Sequence, residues 1–176
     1  MKNIINLILF QFSWWACVLG TANGLNYIGP LFMFVFLVLH LFYLNPNFQE
    51  TKFVIFIALI GTLVDTGLAG TGLISYEGIY TENTRYLAPL WITSMWAGFA
   101  ATVNHSMYWL NNRSISGFLL GAIFGPLSYL TGYKFDVIHF HTSILNISLI
   151  LAITWGISIV VIFKINSKII DIQGKT

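Results

Sequence analysis

The chain has 176 residues, of which 57% are apolar, 16% aromatic and only 8% charged; an ordinary soluble domain carries about 25% charged residues. Its 8 basic and 6 acidic side chains cannot cover a water-exposed surface of this size, and with a mean hydropathy of +0.79 they exclude both a soluble globular domain and a disordered chain. A formal charge of +2 also argues against nucleic acid as a partner.

A bilayer core takes about 20 predominantly apolar residues per helix. In chain order such stretches lie at 4–21, 28–44, 53–73, 87–110, 114–131 and 143–163. Their apolar residues run continuously and do not alternate, which predicts helices and not barrel strands. The breaks carry turn chemistry: Asn23-Gly24 and Gly29-Pro30, then Asn45-Pro46-Asn47, then Asn111-Asn112-Arg113. Pro30 and Pro89 stand at helix starts, where the missing N–H costs nothing. The expected architecture is all-α: one integral membrane domain over 1–176, a polytopic helical bundle of about six spans.

With six spans both termini share a side. That side would hold Lys2, Lys52, Arg113, Lys164, Lys168 and Lys175, and the other only Arg85 and Lys134. The bias predicts cytoplasmic termini, with segments 75–86 and 132–142 outside. Residues 4–21 are expected to remain as an uncleaved first span, because Trp14-Trp15-Ala16 ahead of Cys17 sits badly at a processing site. A lone cysteine excludes an internal disulfide or a thiolate zinc site, and Cys17 reads as a small packing residue.

Polar residues inside these spans carry the functional information. Asp65 lies well within the third span, where a carboxylate costs about 2.5–3.5 kcal/mol on insertion scales, so it must face the bundle interior. Ala58, Gly61, Asp65, Ala69 and Gly72 share one small-residue helical face. On the fourth span Thr93, Ala97, Ala101, Asn104 and Tyr108 fall on one face beside His105. Ile92, Trp96, Phe99, Val103, Met107 and Leu110 form the opposite face, which suits lipid. Asn104 and His105 therefore project inward, and a histidine there can titrate near neutrality or relay protons. Gln11 is a further buried amide, suited to helix–helix hydrogen bonding.

On the fifth span Gly117, Gly121 and Gly125 recur every four residues, the small-xxx-small device for close helix packing, and Tyr129 and Tyr133 continue the row. Pro126 weakens the helix ladder there, giving packing with a bend. His139 and His141 with Asp136 are too few and too poorly spaced for a metal centre, so no metal is expected. The tyrosines of 75–86, with Trp91 and Trp109, read as an interfacial aromatic belt. Phosphate loops, HExxH, a serine elbow and paired carboxylates within one span are all missing from the sequence.

The order of Phe10-Gln11 to Trp15-Ala16-Cys17-Val18-Leu19-Gly20, Gly61 to Asp65-Thr66, Pro89-Leu90-Trp91 to Trp96, Phe99 and Asn104, and Gly121 to Gly125-Pro126-Leu127-Ser128-Tyr129 resembles a family of small bacterial inner-membrane proteins known only as a domain of unknown function. The resemblance reaches to about Thr131. Thr66, where serine is expected, and the His139/His141 loop depart from it. The resemblance implies a multi-pass protein of the bacterial inner membrane, without an established activity or cofactor, that accompanies lipid-modifying enzymes in envelope lipid metabolism.

The leading expectation is a binding or accessory protein that holds an amphipathic lipid or quinone-like ligand. Asp65 and Asn104 would bond its head, and Gln11, His105 and Tyr129 would line the site. A proton-coupled small-molecule transporter using Asp65 is the alternative, and a membrane-embedded enzyme a further one. Membrane lipid, a homodimer through the glycine row and a lipid-modifying enzyme are the expected partners.

Overall fold

The computed structural model describes residues 1–44 and 48–171. Six α-helices lie among them: α1 Lys2–Ala22, α2 Ile28–Leu39, α3 Phe48–Gly70, α4 Leu90–Ala100, α5 Ser114–Lys134 and α6 Ile144–Asp171. The fold is all-α apart from two short strands, β1 Ile74–Tyr76 and β2 Ile138–Phe140, paired antiparallel with Ile74 opposite Phe140 and Tyr76 opposite Ile138. Four helices, α1, α3, α5 and α6, are long and apolar enough to cross a membrane. Their outward faces carry large apolar residues such as Phe12, Leu63, Ile115 and Leu145, all more than half exposed, which suits lipid and not water. Asn45-Pro46-Asn47 and Lys175, used in the span and orientation readings, lie outside the described residues.

The second and fourth spans differ from expectation. At 1.5 Å per residue, α2 and α4 rise only about 18 and 16 Å, short of a hydrocarbon core of about 30 Å. The α2 ladder passes into a π-helical turn, His40–Leu44. After Ala100 the chain turns irregularly, then forms a 3-10 turn at Tyr108–Leu110. The local cause is Ala101-Thr102-Val103-Asn104-His105-Ser106, where short polar side chains compete with the ladder: Thr102 Oγ1 donates to the Phe99 carbonyl at 2.6 Å. Ala101, Thr102 and Val103 are fully buried, and such backbone is tolerated at membrane depth when protein encloses it.

The face assignments on this segment are therefore corrected. Val103, Leu110, Ile92 and Trp96, expected against lipid, are buried, while Tyr108, expected inside, is 58% exposed. A 3.6-residue period cannot be carried past Ala100, and ahead of it α4 is buried on most sides by α1, α2 and α3.

Helix packing rests on small residues. A Cβ on Gly29 would lie 2.2 Å from the Cys17 Cα, so α1 and α2 touch through their backbones and Cys17 serves as a packing residue. The glycine row of α5 faces α6: a Cβ on Gly121 would lie 2.5 Å from the Trp155 carbonyl oxygen, and one on Gly125 2.4 Å from its side chain. The chain's own α6 thus occupies the surface expected to serve a homodimer. Pro126 is buried within α5, which runs unbroken through it.

Candidate functional site

Asp65 sits on α3, five residues before Gly70, and is fully buried. Ala58, Gly61 and Ala69 share its buried face, whereas Gly72 lies past the helix with a φ of 72°. Gly61 is what admits the next layer, because a Cβ there would lie 2.0 Å from the Trp96 ring. Trp96 then donates its indole Nε1–H to Asp65 Oδ2 at 2.5 Å. Oδ1 accepts from the Tyr76 hydroxyl at 2.5 Å and from the Tyr129 hydroxyl. Three neutral donors from β1, α4 and α5 converge on one carboxyl group, and no lysine or arginine pairs with it among the described residues. Burial, and secondarily the Asp65 charge, pushes the Tyr76 hydroxyl well above the usual tyrosine range, which keeps it a donor.

The site extends along aromatic walls. Trp96 stacks on Trp155 of α6 with ring centroids 4.5 Å apart and planes 4° from parallel. Phe99 meets the same indole edge-on at 5.9 Å. These rings floor a cleft of about 580 Å³ that also takes Trp14 from α1, Met95 from α4 and Phe124 from α5. Its two sides are α1 and α5, which are not principal packing partners: α1 packs on α2 and α4, and α5 on α6. Trp15 bridges to Phe135 near one end, with centroids 5.8 Å apart. Among the described residues, nothing accepts a hydrogen bond from the buried Trp155 Nε1–H.

The expected residues divide between two places. Asp65 and Tyr129 meet directly, and Gln11 lines the same cleft. Gln11 is exposed, however, so it is not the buried amide expected; Asn6, fully buried, fills that role. Asn104 and His105 do not join Asp65. They belong to a second cluster around Glu50 at the other end of α3, fifteen residues or about 22 Å away along the helix, so a single head group cannot touch both Asp65 and Asn104.

In that second cluster Glu50 Oε1 lies 3.0 Å from His105 Nε2 and 3.4 Å from His40 Nε2. Asn104 Nδ2 donates to Asn166 Oδ1 at 3.0 Å and reaches Glu50 Oε1 at 3.5 Å, and Asn166 Nδ2 returns a bond to Asn104 Oδ1 at 2.6 Å. Asn6 Nδ2 donates to the Ala101 carbonyl at 3.0 Å and contacts His40 Nδ1 at 3.1 Å, while Ser106 donates to Asn6 Oδ1 at 2.9 Å. The sequence reading missed His40, Glu50, Asn6 and Asn166, along with Tyr76, Trp96 and Trp155. Isolated polar residues in apolar runs, Ile5-Asn6-Leu7 and Leu39-His40-Leu41, were the available signal. His139 and His141 make local pairs instead, with Glu77 Oε1 at 2.8 Å and Ser75 Oγ at 2.9 Å.

The profile of one protein family, described as a protein of unknown function (DUF2878), matches residues 3–161. The chain belongs to the DUF2878 family. The match covers all of the Asp65 site and most of the Glu50 cluster, Asn166 lying beyond it. No curated protein and no solved structure matches this DUF2878 chain.

Proposed function

We propose that this DUF2878 protein binds an amphipathic, lipid-like molecule in the cleft between α1 and α5, as an accessory to envelope lipid metabolism in a bacterial inner membrane. One observation carries the reading: a cavity of about 580 Å³, within the range of about 300–1,000 Å³ usual for ligand sites, is walled by aromatic and aliphatic side chains with a single carboxyl cluster at its floor.

The lining also selects the head group. It contains Asp65 and, among the described residues, no lysine or arginine, so an anionic phosphate would be buried without a counter-ion. The unpartnered Trp155 Nε1–H favours a head that offers an acceptor, since a buried donor left unmade costs about 1–3 kcal/mol. An uncharged ester or quinone-type carbonyl satisfies both conditions, with its acyl or isoprenoid chain lying along Phe10, Trp14 and Phe124.

Mass spectrometry of the chain purified in mild detergent tests this. The expected result is one uncharged lipid species enriched over bulk phospholipid and lost in Ser128→Trp, which fills the cleft. Recovery of bulk phospholipid alone, in the same proportions from both proteins, would overturn the reading.

A further inference from the structure

We infer that His40, Glu50 and His105 form a binding site for a divalent first-row transition metal of the zinc class. Two histidines and one glutamate are a recognised donor set for such ions, with bond lengths of about 2.0–2.2 Å; a tetrahedral arrangement then places neighbouring ligand atoms about 3.3 Å apart. Here Glu50 Oε1 lies 3.0 Å from His105 Nε2 and 3.4 Å from His40 Nε2, and all three atoms fall within 4.8 Å of one another. The two imidazoles stand at 90° with centroids 4.6 Å apart, so each edge approaches the carboxylate from its own direction.

A second observation separates this cluster from an ordinary polar contact. His40 is fully buried, and among the described residues its Nε2 has no hydrogen-bond partner despite the carboxylate oxygen 3.4 Å away. The nitrogen is near enough to Glu50 but not aligned on it, as expected where both atoms face a common centre. Each ligand also comes from a special place in the chain: His40 opens the π-helical turn, Glu50 lies in the first turn of α3, and His105 lies in the irregular segment after α4. π-turns of this kind recur at functional sites. Three protein ligands leave one coordination position for water, and His105, whose side chain is 13% exposed, lies on the accessible side.

The surrounding amides act on the ligands. Asn104 Nδ2 reaches Glu50 Oε1 at 3.5 Å and is itself held by Asn166, which orients the carboxylate. Asn6 sets the state of His40. With its Nδ2 donating to the Ala101 carbonyl, Nδ1 of His40 accepts and the ring proton sits on Nε2. A metal at Nε2 transfers that proton to Nδ1, and the Asn6 amide must turn its oxygen toward it, giving up Ala101. Asn6 therefore holds affinity down, and an aspartate at position 6 would supply the acceptor that metal-bound histidines ordinarily use.

The test uses the full chain in detergent, stripped with chelator and dialysed against micromolar zinc or cobalt(II) alone. About one metal per chain is expected in the wild type, with affinity reduced at least tenfold in Glu50→Gln and in His105→Gln, and raised about tenfold in Asn6→Asp. Cobalt bound to the wild type should show the intense visible bands of a four-coordinate ion, bleached by added zinc, a readout that needs no variant to fold. The inference is overturned if the wild type retains no more metal than His40→Gln/His105→Gln, or if cobalt gives only the weak spectrum of the hydrated ion.

Discussion

Replacing Asp65 by leucine keeps the branched shape of the side chain, with bulkier methyl groups in place of the oxygens, but removes every acceptor from the floor of the cleft. Three donors then lose their partner: the Trp96 indole and the Tyr76 and Tyr129 hydroxyls. All three residues are buried, at no more than 5% exposure, so water does not substitute. At about 1–3 kcal/mol for each unmade buried donor, the loss totals about 3–9 kcal/mol. Asp65→Asn behaves differently, because its amide oxygen can still accept from both tyrosine hydroxyls and only the Trp96 N–H, now facing an NH2 group, loses its acceptor. One unmade donor in place of three should cost about 1–3 kcal/mol. Thermal unfolding in detergent, followed by intrinsic tryptophan fluorescence, reads the contrast, with roughly 2–4 °C expected per kcal/mol for a chain of this size. A leucine variant that melts with the wild type would refute the reasoning that these donors depend on Asp65. The asparagine variant adds a second reading: any pH-dependent flux that survives in it cannot be coupled to protonation of this carboxyl group.

Other consequences are more local. Gly121→Val drives a Cβ to 2.5 Å from the Trp155 carbonyl oxygen and should cost about 1–3 kcal/mol through forced separation of α5 and α6; unchanged thermal stability would contradict that packing. His139→Gln removes an exposed pair with Glu77 and should leave stability within about 0.5 kcal/mol by the same melt. Because the Tyr76 hydroxyl is pushed up by burial and the Asp65 charge, it stays protonated where exposed tyrosines ionise, near pH 10 or about that value. Tyrosinate absorbance of wild type and Tyr76→Phe should therefore superimpose through that range, and a missing ionisation in the variant would argue that Tyr76 is solvated.

The membrane-spanning character, the small-residue face around Asp65 and the glycine row of α5 were legible because each follows from composition or a local helical period. Ala58, Gly61, Asp65 and Ala69 do lie together in the interior. What the row of glycines touches was not legible, since a small-residue stripe is silent about its partner, and α6 fills it here. The fourth span misled for a physical reason. Apolar composition continues to Leu110, but the α-helix stops at Ala100, where the Thr102 hydroxyl bonds the Phe99 carbonyl and Asn104 and Ser106 bond side chains on other elements. Every face drawn beyond that point rotated with the lost period. Glu50 was hidden because Gln49-Glu50-Thr51-Lys52 has the composition of a solvated turn, yet α3 begins at Phe48 and carries Glu50 into the interior. The pairing of Ile74–Tyr76 with Ile138–Phe140, which brings Tyr76 onto Asp65, joins a strand packed on α3 to a strand packed on α5 across about sixty residues of chain, and has no local signature.

The central claim is that an uncharged amphipath lies between α1 and α5 with its head at the Asp65–Tyr129 end. Photocrosslinking with a diazirine-bearing uncharged lipid in proteoliposomes, followed by peptide mapping, addresses it most directly. Adducts should concentrate on Trp14, Met95, Phe124 and Tyr129 and fall away in Ser128→Trp. Labelling just as dense on the outward-facing Leu63, Ile115 and Leu145, unchanged in that variant, would contradict it.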